Sequence, residues 1–367
     1  MTLKRFGVLD LFCGAGGLSY GFESAGFNIV LGIDNNEMAI KTYNHNHKYS
    51  AGLCCDITQV NFNDTIKPII EDRVIDVIIG GPPCQGFSIS GKRLIDDPRN
   101  KLYKSFVDMV RDIMPKIFVM ENVPGLISMA GGKIKEQIVE DFQSLGYIVN
   151  TKQLIASDYG VPQSRKRVFF VGINAEKIHN TREFIFPSPT HGEREDLLDV
   201  VTCKEAISDL DFISEEVALP EKTDYILPAQ SDYQKSMRAG SRHLLNHSAI
   251  IHTKKTRQII SMVPDGGNYK SLPEELWSTR KVNIAWTRMN SSKPCFTIDT
   301  GHNHHFHYSA NRVPTVRESA RIQSFPDKFE FLGIKTSQLK QVGNAVPPLL
   351  AQVIADKVRE ILEKETN

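Results

Sequence analysis

Between residues 6 and about 173 the chain repeats one alternation, a short apolar run followed by a stretch with apolar side chains at helical spacing. Strands joined by helices in this way build an open sheet that is largely parallel, because a parallel neighbour can be reached only through a crossover. Phe6–Leu9, Asn28–Ile33, Val74–Ile79, Ile117–Met120, Tyr147–Ile155 and Val168–Ile173 are the expected strands. Leu102, Phe106, Met109, Val110 and Ile113 form one buried helical stripe, and Ile134, Ile138, Phe142 and Leu145 another. After about residue 184 the periodicity fades and Pro and Gly punctuate the chain, so a second, less regular domain is expected. Helical spacing returns at Leu350, Ile354, Val358 and Ile361, in a terminal helix expected to pack back on the first domain. The expected boundaries are therefore 1–183, 184–337 and 338–367.

Composition narrows the class further. With 41% hydrophobic and 24% charged residues among 367, the chain is neither disordered, collagen-like nor membrane-embedded in pattern. No apolar run approaches the roughly 20 residues of a membrane span. Lys4 and Arg5 precede an apolar stretch broken by Asp10, unlike a signal peptide. Six cysteines, at 13, 54, 55, 84, 203 and 295, form no C-x-x-C pair and no repeating spacing, which points to reduced thiols and a cytoplasmic protein. The formal net charge is +1, but it is unevenly spread. Residues 190–236 hold 4 Lys+Arg against 12 Asp+Glu, and residues 237–294 hold 10 against 3. One face turned toward a polyanion would produce this pattern, and so would solvated charge clusters.

Three segments place chemistry at strand ends. Asp10-Leu11-Phe12-Cys13-Gly14-Ala15-Gly16-Gly17-Leu18 follows the first strand and opens a helix, where open α/β sheets bind ligands. Ser19 stands where G-x-G-x-x-G would need its third glycine, and Asp10 would repel a pyrophosphate, so a dinucleotide is disfavoured. Asp34 ends the second strand and Asp56 follows the next apolar stretch, placed to accept hydrogen bonds from ribose hydroxyls and an adenine amine. An acidic, phosphate-free nucleoside pocket suits the sulfonium of S-adenosylmethionine. Gly80-Gly81-Pro82-Pro83-Cys84-Gln85-Gly86-Phe87-Ser88 puts a thiol at the same sheet edge on a turn of poor core material. Glu121-Asn122-Val123 ends a strand either as an acting carboxyl or as a helix cap before Pro124, and Gln163-Ser164-Arg165-Lys166-Arg167 is either a solvated ramp or an anion clamp.

Taken together these residues resemble one family, the DNA cytosine-5 methyltransferases of the bacterial restriction-modification (type II) kind. The resemblance rests on D-L-F-C-G-A-G-G at 10–17, G-P-P-C-Q-G-F-S at 81–88, E-N-V at 121–123 and Q-S-R-K-R at 163–167. It continues with R-E-S-A-R-I-Q-S-F-P-D at 317–327 and Q-V-G-N-A-V-P-P at 341–348, in the family's order, leaving only about 184–310 uncovered. It implies an α/β fold of the S-adenosylmethionine-dependent methyltransferase, Rossmann-like type, a mixed sheet with helices on both faces plus a smaller irregular target-recognition domain. Residues 1–183 would be the catalytic and cofactor-binding domain and 184–337 the target-recognition domain.

The resemblance also implies roles. Cys84 would attack C6 of the target cytosine, Glu121 would hold or protonate N3, and Arg165 and Arg167 would contact the flipped base and its backbone. Phe12, Gly14, Ala15, Gly17, Asp34, Asp56, Pro83, Asn344 and Val346 would line the S-adenosylmethionine pocket. For DNA contacts the expected set is Gln85, Ser88, Arg99, Arg238, Arg242, Lys254, Lys255 and Arg257, with Arg280, Lys281 and Arg288 as further cations of the recognition domain. The partner is double-stranded DNA, with a cognate restriction endonuclease acting on the same site without a stable complex. A cytoplasmic, nucleoid-associated monomer is expected. His302, His304, His305 and His307 cluster without neighbouring ligand chemistry, so no metal is expected, and Cys295 is not read as a second nucleophile. A tRNA cytosine-5 methyltransferase of the same superfamily and a non-catalytic DNA-binding relative are the competing readings.

Overall fold

The computed structural model describes residues 6–83, 101–210, 220–279, 286–298 and 305–366. Seven strands form the main sheet: β1 (Gly7–Leu11), β2 (Asn28–Asp34), β3 (Ala51–Cys54), β4 (Val77–Gly80), β5 (Ile117–Asn122), β6 (Tyr147–Ile155) and β7 (Lys166–Asn174). Their order is β3-β2-β1-β4-β5-β7-β6. The first five run parallel, whereas β7 is antiparallel to both β5 and β6. The sheet is thus mixed, and the reversal has a plain cause: β6 and β7 are joined by a short connection that allows only antiparallel neighbours. The fourth strand is shorter than its apolar run, which begins at Val74: the ladder starts at Val77, and Val74 lies 69% exposed ahead of it.

The helices here are α1 (Gly17–Ser24), α2 (Glu37–Asn46), α3 (Lys67–Ile70), α4 (Lys101–Ile113), α5 (Gly125–Ser128) and α6 (Lys133–Gln143). Successive strand residues face opposite sides. Leu9, Leu11, Leu31, Ile78, Phe118, Met120 and Phe170 share a core with Phe106, Met109 and Val110 of α4 and Ile138 and Phe142 of α6. Phe118 stacks on Phe142 with ring centroids 4.0 Å apart. Each such buried side chain contributes about 1.5–3 kcal/mol. The opposite face carries Asp10, whose carboxylate meets Ser19 of α1, so α1 covers that side.

Contacts divide the described residues into two units. One comprises 1–155, 166–188 and 348–367, and the other 156–165 and 189–347. These bounds differ from those expected at 183 and 337. The second unit holds α7 (Cys203–Ile207), α8 (Asp232–Arg238), α9 (Lys254–Ser261), α10 (Val316–Ile322) and α11 (Lys335–Asn344), with two two-stranded ladders. The terminal helix α12 (Pro348–Thr366) belongs to the first unit and packs on α1, where Gly21 lies so close that a Cβ would meet that of Ala351 at 2.3 Å.

The second unit is organised around buried charge. All seven residues of α10 are buried. Glu318 pairs with Arg312 at 2.6 Å, and Arg321 with Asp209 and Asp327 at 2.5 and 2.7 Å. Arg312 holds the Glu318 carboxyl well below the usual range despite its burial. Arg317 donates to the carbonyls of Leu245, Pro326 and Phe329. Removing one partner from such a buried pair costs about 3–5 kcal/mol, because the other charge is left uncompensated.

Candidate active site

The glycine loop leaves β1 and turns into α1 through residues of positive φ, Phe12 at 62° and Gly16 at 97°. Gly16 is needed twice over, since any Cβ there would also sit 2.1 Å from Nε2 of His47. As the N-cap of α1 it supplies no side-chain bond. Asp10 meets the first turn of α1 from the strand, its Oδ2 accepting from Ser19 Oγ at 2.6 Å. Ser19 in turn lies 3.1 Å from the Tyr43 hydroxyl. Burial pushes the Asp10 carboxyl up to about 7, and nearby Asp34 adds to the rise.

Asp34, at the end of β2, ties down two loops at once. It accepts from Gly14 N at 2.9 Å and from Asn36 N at 2.8 Å. Asp56 follows β3 and caps the turn Ile57–Gln59 through Thr58 N at 3.0 Å. Asp34 and Asp56 therefore stand at the ends of adjacent parallel strands, Cys55 N donating to Asp34 O at 3.0 Å. The donor set fits S-adenosylmethionine. Segments 10–19, 34–40 and 51–58 contain no Lys or Arg, so the polar groups offered are carboxylates and backbone, suited to hydroxyls, an amine and a positive charge. Two further observations agree: Oδ1 of Asp10 is buried and accepts no hydrogen bond among the described residues, and a Cβ at Gly14 would meet nothing within 4 Å.

A second constellation lies at the end of β5. Glu121 Oε1 is 2.6 Å from Arg167 Nε, and both side chains are 12% exposed. Arg167 comes from β7, which runs antiparallel to β5, and its Nη1 also donates to Lys166 O at 2.7 Å. Gly81 packs against the other carboxylate oxygen, where a Cβ would be 2.9 Å from Oε2. Asn122 Nδ2 donates to Pro82 O at 2.9 Å and its Oδ1 accepts from Val123 N at 2.8 Å. These bonds pin the turn that leads to Cys84 against the carboxylate. Glu121 and Asn122 do not cap the following helix, since α5 has Pro124 as N-cap and no side-chain cap bond. Of the two sequence readings, the helix cap is not what the structure shows; the carboxyl is paired with Arg167.

Cys84, Gln85, Ser88 and Arg99 lie outside the described residues, as do Arg280, Lys281, His302 and His304. Phe12, Gly14, Ala15, Gly17, Asp34, Asp56, Pro83, Glu121 and Arg167 belong to the first unit, and Arg165, Asn344 and Val346 to the second. Cys13 and Cys295 are buried with thiols pushed up by burial, poor settings for a thiolate. His305 lies over Phe296 with ring centroids 4.1 Å apart, and buried His307 accepts at Nδ1 from Ser309 N and Ala310 N.

Among the expected DNA contacts, Arg242, Lys254 and Lys255 are exposed. The two lysines open α9, whose N-terminus is itself partly positive. Arg257 is half-buried. Arg238 is engaged within the unit, 3.8 Å over the Tyr225 ring and bonded to Asp209 and to Leu227 O. Arg288 departs from expectation outright. It is 4% exposed and donates to the carbonyls of Ile260, Val263, His307 and Ala310, so its guanidinium is an internal strut. Sequence reasoning gave no special role to Gln163, Gln323 or the Asp10–Ser19–Tyr43 chain. The only available signal for the last was an acidic residue just before a glycine loop that lacks its own cap.

The model of the family described as C-5 cytosine-specific DNA methylase matches residues 6–360. The type II methyltransferase M.DdeI of Desulfomicrobium norvegicum is 40% identical over 96% of this chain and 88% of its own. M1.HphI of Haemophilus parahaemolyticus, also a type II methyltransferase, is 39% identical over 98% and 87%. Among solved structures, an E. coli prophage protein assigned as a DNA modification methyltransferase superposes with a TM-score of 0.79 at 28% identity, covering 98% of this chain and all of its own. The Dnmt2 methyltransferase of S. pombe, at 19% identity and TM-score 0.57 over 98% and 99% of the two chains, shares the fold. A sheet that ends in a glycine loop, two carboxylates and a Glu–Arg pair, in a chain matched almost end to end, places the protein in the C-5 cytosine-specific DNA methylase family, as a DNA cytosine-5-methyltransferase.

Proposed function

We propose that the protein transfers the methyl group of S-adenosylmethionine to carbon 5 of one specific cytosine in double-stranded DNA, as the protective enzyme of a type II restriction-modification system. The Glu121–Arg167 pair beside the Gly81–Pro83 turn carries this reading, because it sets a carboxyl next to the segment that bears Cys84. Phe12, Gly14, Ala15, Gly17, Asp34, Asp56 and Pro83, with Asn344 and Val346, would hold the cofactor, which supplies an electrophilic methyl group on a sulfonium.

Carbon 5 of cytosine is a weak nucleophile. The Cys84 thiolate adds to C6 and converts the ring to an enamine that can take the methyl group at C5. The C5 proton then passes to water, the C5–H electron pair restores the C5–C6 double bond, and the C6–S bond breaks to return the thiolate. Glu121 holds or protonates N3, which makes C6 more electrophilic, and Arg167 locks the Glu121 rotamer through its 2.6 Å contact. The ring is stacked inside a duplex, so the base must flip out, at a cost of roughly a few kcal/mol.

Target recognition falls to the second unit, with Lys254, Lys255 and Arg242 as phosphate contacts and Arg257 beside them, and with Gln85, Ser88 and Arg99 on the segment after Cys84. Arg238 is not included, because its guanidinium is already bonded. The enzyme works as a monomer in the cytoplasm on nucleoid DNA, and its nuclease partner reads the same site without binding it.

The test is trapping on duplex DNA carrying 5-fluorocytosine with S-adenosylmethionine present. A covalent adduct mapping to Cys84 and lost in Cys84→Ser is expected. An adduct at Cys13 or Cys295, or methyl transfer to tRNA in place of duplex DNA, would overturn the reading.

A further inference from the structure

Two buried side chains converge on the backbone around Asn344, the last residue of α11. The final carbonyls of a helix have no partner within it and carry its partial negative charge. Arg165, 1% exposed, donates Nη2 to Gly343 O at 2.9 Å. Gln323, fully buried, donates Nε2 to Ala345 O at 2.5 Å. The carbonyls on either side of Asn344 are thus each taken, one by a cation suited to a helix C-terminus and one by an amide.

Both donors are anchored in turn. Gln323 Oε1 accepts from Gln163 Nε2 at 2.5 Å, and Gln163 Oε1 accepts from Ile298 N at 3.1 Å. The segment carrying Gln163 and Arg165 is fixed to Cys295, whose N donates to Pro162 O at 2.9 Å and whose O accepts from Ser164 N at 2.7 Å. Every one of these residues belongs to the second unit. Gly343 and Val346 are buried while the Asn344 side chain is exposed, so a rigid backbone presents one polar group.

We propose that Arg165 and Gln323 are positioning residues for S-adenosylmethionine, fixing the backbone on both sides of Asn344, and that Arg165 does not contact DNA. The inference rests on the reading that Asn344 and Val346 meet the cofactor. The physical reason is the burial of the guanidinium: at 1% exposure it offers almost no surface to a phosphate or a base, and swinging it outward would break its bond to Gly343 O and leave a buried acceptor unpaired. Loss of either donor frees one flank of Asn344 and weakens the contact made through it.

The experiment compares Arg165→Met, Arg165→Lys and Gln323→Met with the unaltered protein. Calorimetry gives the Kd for S-adenosylhomocysteine, fluorescence anisotropy gives the Kd for sheared duplex DNA, and a thermal midpoint reports folding. Arg165→Met and Gln323→Met should each raise the S-adenosylhomocysteine Kd about tenfold, a change worth about 1.4 kcal/mol. DNA affinity should stay within about twofold, against the broad loss that removal of a phosphate contact gives. Arg165→Lys should recover most of the cofactor affinity, because a cation remains at the helix end. A DNA loss larger than the cofactor loss, or an unchanged S-adenosylhomocysteine Kd in a folded variant, overturns the proposal. If Arg165→Met does not fold, the milder Gln323→Met decides by the same split. Failure of the unaltered protein to bind S-adenosylhomocysteine would refute the cofactor reading itself and this proposal with it, whereas normal binding unaffected by either variant refutes the proposal alone.

Discussion

Asp10, on a strand, ties itself to the helix that begins seven residues later by accepting the Ser19 hydroxyl at 2.6 Å. The carboxyl is electrically unusual, because burial favours its neutral form and pushes it up to about 7. A carboxyl that ionises near 4 when unfolded and near 7 when folded stabilises the protein fully below pH 4 and loses that contribution as pH rises through 7. Asp10→Asn removes this dependence. Its denaturation midpoint relative to the unaltered protein should therefore rise between pH 5 and pH 8, by at most a few kcal/mol in free energy. Parallel pH profiles for the two proteins would show that Asp10 does not titrate in this window.

The Glu121–Arg167 pair predicts a different split. Arg167→Met should lower kcat by about a hundredfold, within the range that acid–base positioning supplies, with DNA affinity changed little. Single-turnover methyl transfer and equilibrium DNA binding, measured on the same preparation, check it. A loss confined to DNA affinity would mean that the arginine serves the nucleic acid instead of the carboxylate.

Asp56→Ala should weaken S-adenosylmethionine binding about tenfold and leave DNA binding intact, since among the described residues its carboxylate otherwise bonds only Thr58 of a surface turn. Separate titrations of the two ligands test this. Equal losses on both would indicate a damaged fold and remove Asp56 from the pocket.

Neutralising Lys254, Lys255 and Arg257 together should weaken DNA binding across sequences and flatten its salt dependence by up to about 0.9 in slope per lost phosphate contact. Sequence preference should survive. An unchanged slope would move the DNA-facing surface off α9.

Much of the first unit was legible because buried strands and amphipathic helices leave periodic traces. The run Tyr147–Ile155 became β6 without adjustment, and the stripe from Leu102 to Ile113 became α4. The five-residue run Gln163–Arg167 shows where that legibility stops. Its two arginines look equivalent in sequence, yet Arg167 lies in β7 and meets Glu121, whereas Arg165 lies before the strand and turns into a buried helix end. Arg238 and Arg288 make the same point for the basic stretch from 237 to 294. A count of cations suggests a charged surface, but whether a guanidinium faces solvent or a set of carbonyls depends on chain returns from distant segments, which no local pattern encodes.

The chain passes between its two units four times, after 155, 165, 188 and 347. On the ribosome this imposes an order of events. The groove of α1 that α12 fills must wait until all of the second unit has been translated, so the first unit cannot be completed as its early strands emerge. Its closing contacts are among the most distant in sequence, which slows folding and lengthens exposure of apolar surface. A permuted chain that carries 348–366 ahead of β1 should therefore refold faster and aggregate less during synthesis than the natural order.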